Sequence, residues 1–277
     1  MLDIVEVRTP LGALLSLPLE NPTSGFVVEK IDGLDPGKAT LVATDYAQSD
    51  GAQYRGGRVD ARNIKFQIAL DPDYVSQSMD SLRQQLYSFF MPKSTVNLRF
   101  RVTQILGGPE RVRDISGIVE DLTLDLWSEK CIANISIMCY DPYFSEPSPV
   151  IAEGVMNNGS VIVDNPGSIP VGFKFTMVNA PQLYGFTFTQ RLVAAPPQTS
   201  FTVYGEFQGG DVVTVNSIFG QKSIVATQGG TSRSMLGSMQ PGSTWLRLGL
   251  GRNLITVPDI TGGQRFAVEF TAKYGGL

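Results

Sequence analysis

The stretch that comes nearest to a chemical motif is "KIDGLDPGKATLV", Lys30 to Val42. A phosphate-binding loop has the pattern G-x-x-x-x-G-K-[ST], in which backbone amides cradle the phosphates and the last hydroxyl holds magnesium. Here Gly33 is one residue too close to Gly37, and Ala39 stands where the hydroxyl should be. The intervening proline also lacks an amide, and a strand-like run follows instead of a helix. The sequence predicts a turn before Ala39–Ala43 enters the sheet, and no bound cofactor.

Acid–base chemistry has few candidate residues in this chain. The sequence contains no histidine, which removes the commonest general base and the commonest transition-metal ligand. Glu120 and Asp121 are a carboxylate pair of the kind that a glycosidase would need. In a regular strand, adjacent side chains point to opposite faces, so these two would not cooperate. We therefore expect no catalytic residue, no metal site and no enzymatic activity.

The two cysteines, Cys131 and Cys139, lie eight residues apart in one predicted strand. Because a strand rises about 3.3 Å per residue, they would be about 26 Å apart on one face. That separation is too large for a disulfide. The sequence predicts two buried, reduced thiols.

Charged side chains are concentrated in "SDGAQYRGGRVDARNIKF", Ser49 to Phe66. Its three arginines would suit nucleic acid, but aspartates are interleaved with them and this half of the chain is acidic. DNA binding needs a net basic face. We expect instead a loop ordered by Asp–Arg pairs within or between subunits. The candidate subunit-interface residues are Asp50, Tyr54, Arg55, Arg58 and Arg62.

The composition of the 277-residue chain changes near Ser145. Residues 1–145 carry 14 Lys and Arg against 19 Asp and Glu, whereas residues 146–277 carry 8 against 7. The second part also holds 19 of the 29 glycines. The proline-containing "SEPSPV" marks the change, so we predict domains at 1–145 and 146–277. No apolar run is long enough to cross a membrane, and no signal peptide is expected.

The first domain shows the alternation of antiparallel strands. "VNLRFRV" and "DLTLDLW" place apolar residues on one face and polar residues on the other. Gly107-Gly108-Pro109 is predicted to connect two such strands. "SMDSLRQQLYSFFMPK" instead spaces its apolar residues by three and four, with Ser78 as N-cap and Pro92 as the stop. This segment predicts a single helix that docks on the sheet.

The second domain is a series of short strands between Gly, Asn and Pro turns. Regular spacing of this kind favours a β-sandwich or a jelly roll. The chain as a whole is therefore predicted to be mainly β, with two β-sandwich domains.

An ordered set of motifs resembles the distal tail proteins of siphophages, the Dit family. "IDGLDPGKATLV", "DGAQY", "RNI", "LRQQLYSFFMPK" and "DPYF" resemble the N-terminal domain of that family. "NPGSIPVGFKF", "GDVVTVNSIFGQKSI", "WLRLGLGRNLITV" and "FTAKYGGL" resemble its C-terminal, galectin-like domain. The motifs keep the family's order over nearly the whole chain.

The resemblance implies a structural protein of the virion, made in the host cytoplasm and placed at the tail tip. Family members form a homo-hexameric ring through the N-terminal domain, and DNA passes through that ring without specific binding. The expected partners are the tail tube protein and baseplate, tail-tip or fibre proteins. No membrane insertion is expected. The net charge of −5 on residues 1–145 predicts an acidic lumen that does not retain DNA.

Two alternatives remain at this point. A carbohydrate-binding β-sandwich would aid attachment to the host surface, and an exposed Trp or Tyr would be its signature. Trp245 could be such a ring or could equally be a core residue. A glycosidase or lyase of the tail tip is the other alternative.

Overall fold

The computed structural model describes residues 2–19, 24–46, 50–103, 110–125, 130–155, 159–178, 182–257 and 265–277. The connection predicted at Gly107-Gly108-Pro109 lies outside these ranges. The chain divides into two compact units. Unit 1 comprises Met1–Pro147 together with Gly275–Leu277, and unit 2 comprises Ser148–Tyr274.

Unit 1 is built on one antiparallel sheet. Its strands are β1 (Leu2–Arg8), β2 (Leu14–Pro18), β3 (Phe26–Asp32), β4 (Ala39–Asp45), β5 (Ala52–Val59), β6 (Arg62–Leu70), β7 (Thr95–Thr103), β8 (Glu110–Leu124), β9 (Ile132–Cys139) and β10 (Phe144–Ser145). Seven strands follow the order β2-β1-β7-β8-β9-β6-β3, and β10 pairs with β8. The predicted alternation is confirmed in β7, where Val96, Leu98 and Phe100 are buried. One face of the sheet therefore covers the core of unit 1.

The helix predicted from the apolar spacing is confirmed as α1, Met79–Phe90. Ser78 is its N-cap: the Ser78 hydroxyl accepts from the Ser81 amide at 3.1 Å, and the Ser81 hydroxyl accepts from the Ser78 amide at 3.0 Å. This reciprocal pair satisfies two amides that the first turn leaves without helical partners. The buried side chains that dock the helix are Leu82, Leu86, Phe89 and Phe90.

Strands β4 and β5 depart from the sequence prediction. Ala39–Ala43 was expected to enter the main sheet, but β4 pairs only with β5, in a separate two-stranded hairpin. All seven residues of β4 are exposed. Alternation predicts a strand from local sequence, but the partner of that strand depends on contacts made elsewhere. We call residues 39–59, this exposed hairpin, the arm.

Unit 2 is a sandwich of two antiparallel sheets. Its elements are β11 (Val150–Val155), β12 (Ser160–Asn165), β13 (Lys174–Val178), β14 (Leu183–Leu192), β15 (Ala195–Phe207), β16 (Val212–Asn216), β17 (Ser223–Gln228), β18 (Thr231–Ser234), the 3-10 turn Leu236–Ser238, β19 (Gly251–Thr256), β20 (Arg265–Phe270) and β21 (Lys273–Tyr274). One sheet has the order β11-β20-β13-β16-β17-β18 and the other β12-β19-β14-β15.

Aromatic side chains fill the space between the two sheets of unit 2. Phe175 of β13 stacks on Phe188 of β14, with ring centroids 4.6 Å apart and planes 7° apart. Phe266 of β20 lies 5.6 Å from Phe175 on the same side. These contacts join the sheets face to face, as in a β-sandwich. The predicted fold class, mainly β with a single helix, is therefore confirmed among the described residues.

Candidate functional site

The arm is the most exposed regular element of unit 1, and one of its two faces is apolar. Cross-strand pairing places Leu41 opposite Gly57 and Ala43 opposite Tyr54. A Cβ at Gly57 would lie 3.0 Å from Leu41 Cδ2 and 3.1 Å from the Tyr54 hydroxyl. The glycine thus lets these two side chains converge on one face. They remain 66% and 64% exposed, so the described part of the chain leaves this face uncovered.

The opposite face of the arm carries mostly polar side chains, together with the exposed Val42. Arg58 forms an ion pair with Asp60 at 3.2 Å, and the Thr40 hydroxyl donates to the same carboxylate. Arg55 lies at a β-bulge and its Nε donates to the Thr44 hydroxyl at 3.4 Å. The Arg58–Asp60 contact is one intrachain Asp–Arg pair of the kind that the sequence predicts. The arm is therefore an amphipathic ribbon without a core of its own.

Four of the five predicted interface residues lie on the arm or at its end. Asp50, Tyr54, Arg55 and Arg58 are all exposed. Arg62 differs, because it is only 5% exposed and its side chain lies inside unit 1. Its guanidinium contacts its own chain, and a contact of Arg62 with a second subunit stays a prediction. Arg62 is the first residue of β6, where Ile64 and Phe66 also point into the core, and this alternation could have predicted its burial.

The Arg62 guanidinium is held by four backbone carbonyls from three separate segments of unit 1. Its Nε donates to the Pro142 carbonyl at 2.8 Å. Its Nη1 donates to the carbonyls of Gly33 and Asp35, at 2.8 and 2.9 Å. Its Nη2 donates to the Gly275 carbonyl. The guanidinium carbon lies 4.6 Å from the centre of the Phe144 ring, which adds a cation–π contact.

The positive charge of the Arg62 guanidinium is stabilised by the dipoles of the backbone carbonyls. Burial lowers the pKa of the Arg62 guanidinium, while the nearby Cys139 and Asp35 side chains oppose that shift. Arginine nevertheless stays protonated in proteins, so the cluster holds a permanent cation. Carbonyl oxygens satisfy its donors and offset part of the desolvation cost.

The loop that resembled a nucleotide site lies directly in this cluster. It is a turn between β3 and β4, as predicted. Gly33 has φ of +89°, and a Cβ there would lie 2.2 Å from the Asn63 carbonyl oxygen, so only glycine fits. A phosphate site directs amides toward an anion. Here the Gly33 and Asp35 carbonyls face a cation, which is the opposite polarity.

The acidic pair Glu120 and Asp121 is arranged differently from the prediction. A register shift between Val119 and Asp121 marks a β-bulge in β8, and a bulge turns two successive side chains to one side. Both carboxylates therefore line the same open groove of about 720 Å³ on the solvent face of the sheet. Glu120 accepts from the Ser136 hydroxyl at 2.8 Å.

No further chemistry is assembled around this groove. Among the described residues, no group of three or more acidic or cysteine side chains is placed to hold a metal ion. The groove mixes acidic, basic and amide side chains, including Lys30, Lys65 and Asn134, with the apolar Phe66 and Ile135. Its composition is that of a hydrated sheet face.

The cysteines and Trp245 are core residues. Both cysteines are free and buried, which confirms the sequence prediction. Burial raises the pKa of the Cys139 thiol to about 11, with Asp141 adding to the shift and Arg62 opposing it. The Trp245 ring lies 5.1 Å from the ring of buried Phe201 and packs against the core of unit 2. Trp245 is therefore partly buried and is not a fully exposed ring.

The fold places the chain in a structural class: two β units in sequence, the first a helix-bearing sheet with a projecting arm and the second a sandwich. A structure of this class that it resembles is the SPP1 Dit protein, described as a paradigm of the hub adsorption apparatus in Gram-positive infecting phages. The match covers 98% of this chain and 99% of that chain, with a TM-score of 0.67 at 16% identity. The chain thus shares the fold of that hub protein over nearly its full length.

Other comparisons add less. A chain of the phage P2 baseplate in its activated conformation with calcium aligns over 97% of this chain and 98% of its own, with a TM-score of 0.47 at 11% identity. No protein-family model matches the sequence, and no curated protein sequence matches it significantly. Within the part of the chain that the structure describes, no helix has the length and apolar character needed to cross a membrane.

Proposed function

We propose that this protein is a distal tail protein of the Dit type, a structural hub of a phage virion located at the tail tip. The observation that carries the proposal is the fold shared with the SPP1 Dit hub protein across 98% of this chain. The ordered motifs that resemble the Dit family give independent support from sequence. In this role the protein assembles and connects, and it catalyses no reaction.

The copies assemble as a homo-hexameric ring through unit 1, with the arm as a contact between neighbours. The apolar face of the arm supports this, because Leu41 and Tyr54 are exposed side by side among the described residues. A two-stranded ribbon without a core is marginal by itself, and packing on a second copy would stabilise it. Asp50, Arg55 and Arg58 then surround this contact with polar side chains.

DNA passes through the ring without specific binding. Six copies of residues 1–145 at a net charge of −5 each would give the ring a strongly acidic character, which repels phosphates. Ion pairing supports the same conclusion, because Arg99 contacts Asp114 at 2.7 Å and Arg101 contacts Glu6 at 2.7 Å. Arginines neutralised in this way do not form a basic track for DNA.

Unit 2 provides attachment points. In this proposal it meets baseplate, tail-tip or fibre proteins, while the ring of unit 1 meets the tail tube protein. The sandwich of unit 2 offers exposed apolar side chains on loops and strand ends for such contacts, among them Phe219 and Tyr184, which are 84% and 76% exposed.

Native mass spectrometry of the purified full chain, combined with negative-stain imaging, tests the proposal. A hexamer, or a mixture of trimers and hexamers, is the expected mass, and six-fold rings are the expected images. The same preparation is applied to a glycan array. A strict monomer that binds glycans would overturn the hub and favour the carbohydrate-binding alternative.

A further inference from the structure

The structure also assigns a mechanical role to the Arg62 cluster: we infer that Arg62 and the segment Gly275–Leu277 form a latch that fixes the direction of the arm. The latch stands on contacts within unit 1. Its consequence for ring assembly rests on the proposed function.

Both ends of the arm meet at Arg62. The first strand of the arm is joined to β3 through residues 33–38, and the Gly33 and Asp35 carbonyls of that connection accept from Arg62 Nη1. The second strand ends at Val59, and only two residues separate it from Arg62. The Arg62 side chain thus links the segment that precedes β4 to the segment that follows β5.

The segment Gly275–Leu277 closes the cluster from the other side. The Gly275 carbonyl accepts from Arg62 Nη2, and the Leu277 amide donates to the Leu34 carbonyl at 3.1 Å. Gly276 fits closely against the same loop, since a Cβ there would lie 3.1 Å from Pro36 Cδ. Residues more than 200 positions away in sequence therefore pack against Arg62 and against the loop that precedes the arm.

Apart from the contacts of Thr40 and Arg58 with Asp60 at its root, the described part of the arm is joined to unit 1 through the Arg62 cluster. Its strands pair only with each other, and its residues are mostly exposed. Among the described residues, Arg62 has no carboxylate partner and uses only carbonyls, so withdrawing the Gly275 carbonyl would leave a buried donor unsatisfied. Because a buried donor without a partner is costly, the loop, Arg62 and the segment are held together or released together.

Hydrogen exchange measured by mass spectrometry on the full chain tests the latch. In Arg62→Met we expect exchange to rise about tenfold in peptides covering residues 33–38 and 275–277, because the local opening energy falls. A peptide covering β7 should be unchanged. The matched control is Arg55→Met, which removes an exposed arginine that contacts only Thr44 within the arm and should leave the exchange of both segments as in the original protein.

A second variant changes the segment Gly275–Leu277 and leaves Arg62 intact. Gly276→Val places a side chain against Pro36, and we expect faster exchange in residues 33–38 with β7 unchanged. Its control is Gly209→Val, at a glycine with nothing within 4 Å of its Cβ position. If Arg62→Met unfolds unit 1 as a whole, Gly276→Val decides the question.

Unchanged exchange at residues 33–38 in Gly276→Val would overturn the latch. These measurements need no ring, so they separate failure of the latch from failure of the hub proposal. If the exchange results support the latch but no hexameric rings are found, the latch remains supported and only its role in assembly is contradicted.

Discussion

At the scale of single residues, Glu6 lies at the centre of an ion-pair network on the solvent face of unit 1. Its carboxylate contacts Arg8 at 2.6 Å and Arg101 at 2.7 Å, and the residue is only 8% exposed. Burial raises the pKa of Glu6, but hydrogen bonds and charge from Arg101 and Arg8 outweigh burial and hold it below the ordinary value of 4.5. The ionised form is therefore the one that the folded state favours.

This shift has a definite sign for stability. Because the pKa of Glu6 is lower in the folded state than in the unfolded state, its contribution is complete above pH 4.5 and is lost as the pH falls through the folded value. We predict that Glu6→Gln destabilises β1 and β7 at neutral pH by about 1–3 kcal/mol. Hydrogen exchange of these strands from pH 7 downward measures the difference, which should shrink in acid.

The control for this prediction is Glu153→Gln, which removes an exposed carboxylate of unit 2. In Glu153→Gln, hydrogen exchange of β1 and β7 should depend on pH as it does in the original protein. If the stability lost in Glu6→Gln stays constant below pH 4, the lowered pKa assigned to Glu6 is contradicted.

Cys139 gives a second prediction at this scale. Because burial raises the pKa of its thiol to about 11, almost no thiolate forms at pH 8, and the residue is fully enclosed. We predict that iodoacetamide labels Cys139 only in denaturant, as read from the peptide masses. Cysteine introduced by Thr44→Cys on the exposed arm should label under native conditions. Equal native rates at both positions would contradict the burial of Cys139.

At the scale of elements, the start of α1 rests on the Ser78–Ser81 capping pair. We predict that Ser78→Ala lowers the free energy of unfolding of unit 1 by about 1 kcal/mol, because an amide of the first turn loses its acceptor. Ser88→Ala, on the exposed face of the same helix, is the matched control and should change stability by less than about 0.5 kcal/mol. Urea titration followed by hydrogen exchange of α1 measures both, and equal effects would argue against the cap.

Strand β8 shows how one element can change the chemistry of adjacent residues. The bulge at Glu120 turns two neighbouring carboxylates to one face, whereas a regular strand separates them. The sequence around Glu120 alternates normally, so no local pattern predicted the bulge. The arm shows the same dependence, because its strands are evident from the sequence but their isolation from the main sheet is not.

At the scale of the whole molecule, the arm's apolar face should decide assembly. We predict that Leu41→Glu shifts the protein from hexamer to monomer in native mass spectrometry, because it buries a charge in the proposed contact between copies. Thr44→Glu places the same charge on the polar face and should leave the hexamer intact. A hexamer that persists in Leu41→Glu would remove the apolar face from the ring contact.

Local pattern in the sequence was sufficient to predict the helix and most of the strands. Spacing by three and four predicted α1 with its cap, period-two alternation predicted the strands, and failed spacing at Gly33 excluded a phosphate loop. Each of these inferences depends on residues within a few positions of one another. The same local signals indicated mainly β architecture, which the structure confirms.

The tertiary structure alone decided the chemistry of Arg62. The sequence placed it among candidate subunit-interface residues, and folding buries it among carbonyls from residues 33, 35, 142 and 275. Backbone carbonyls are present at every position, so no residue type marks the four that converge. Their convergence follows from pairing across as many as 213 positions. Periodicity fixes which way a side chain points, and only the fold determines what it meets there.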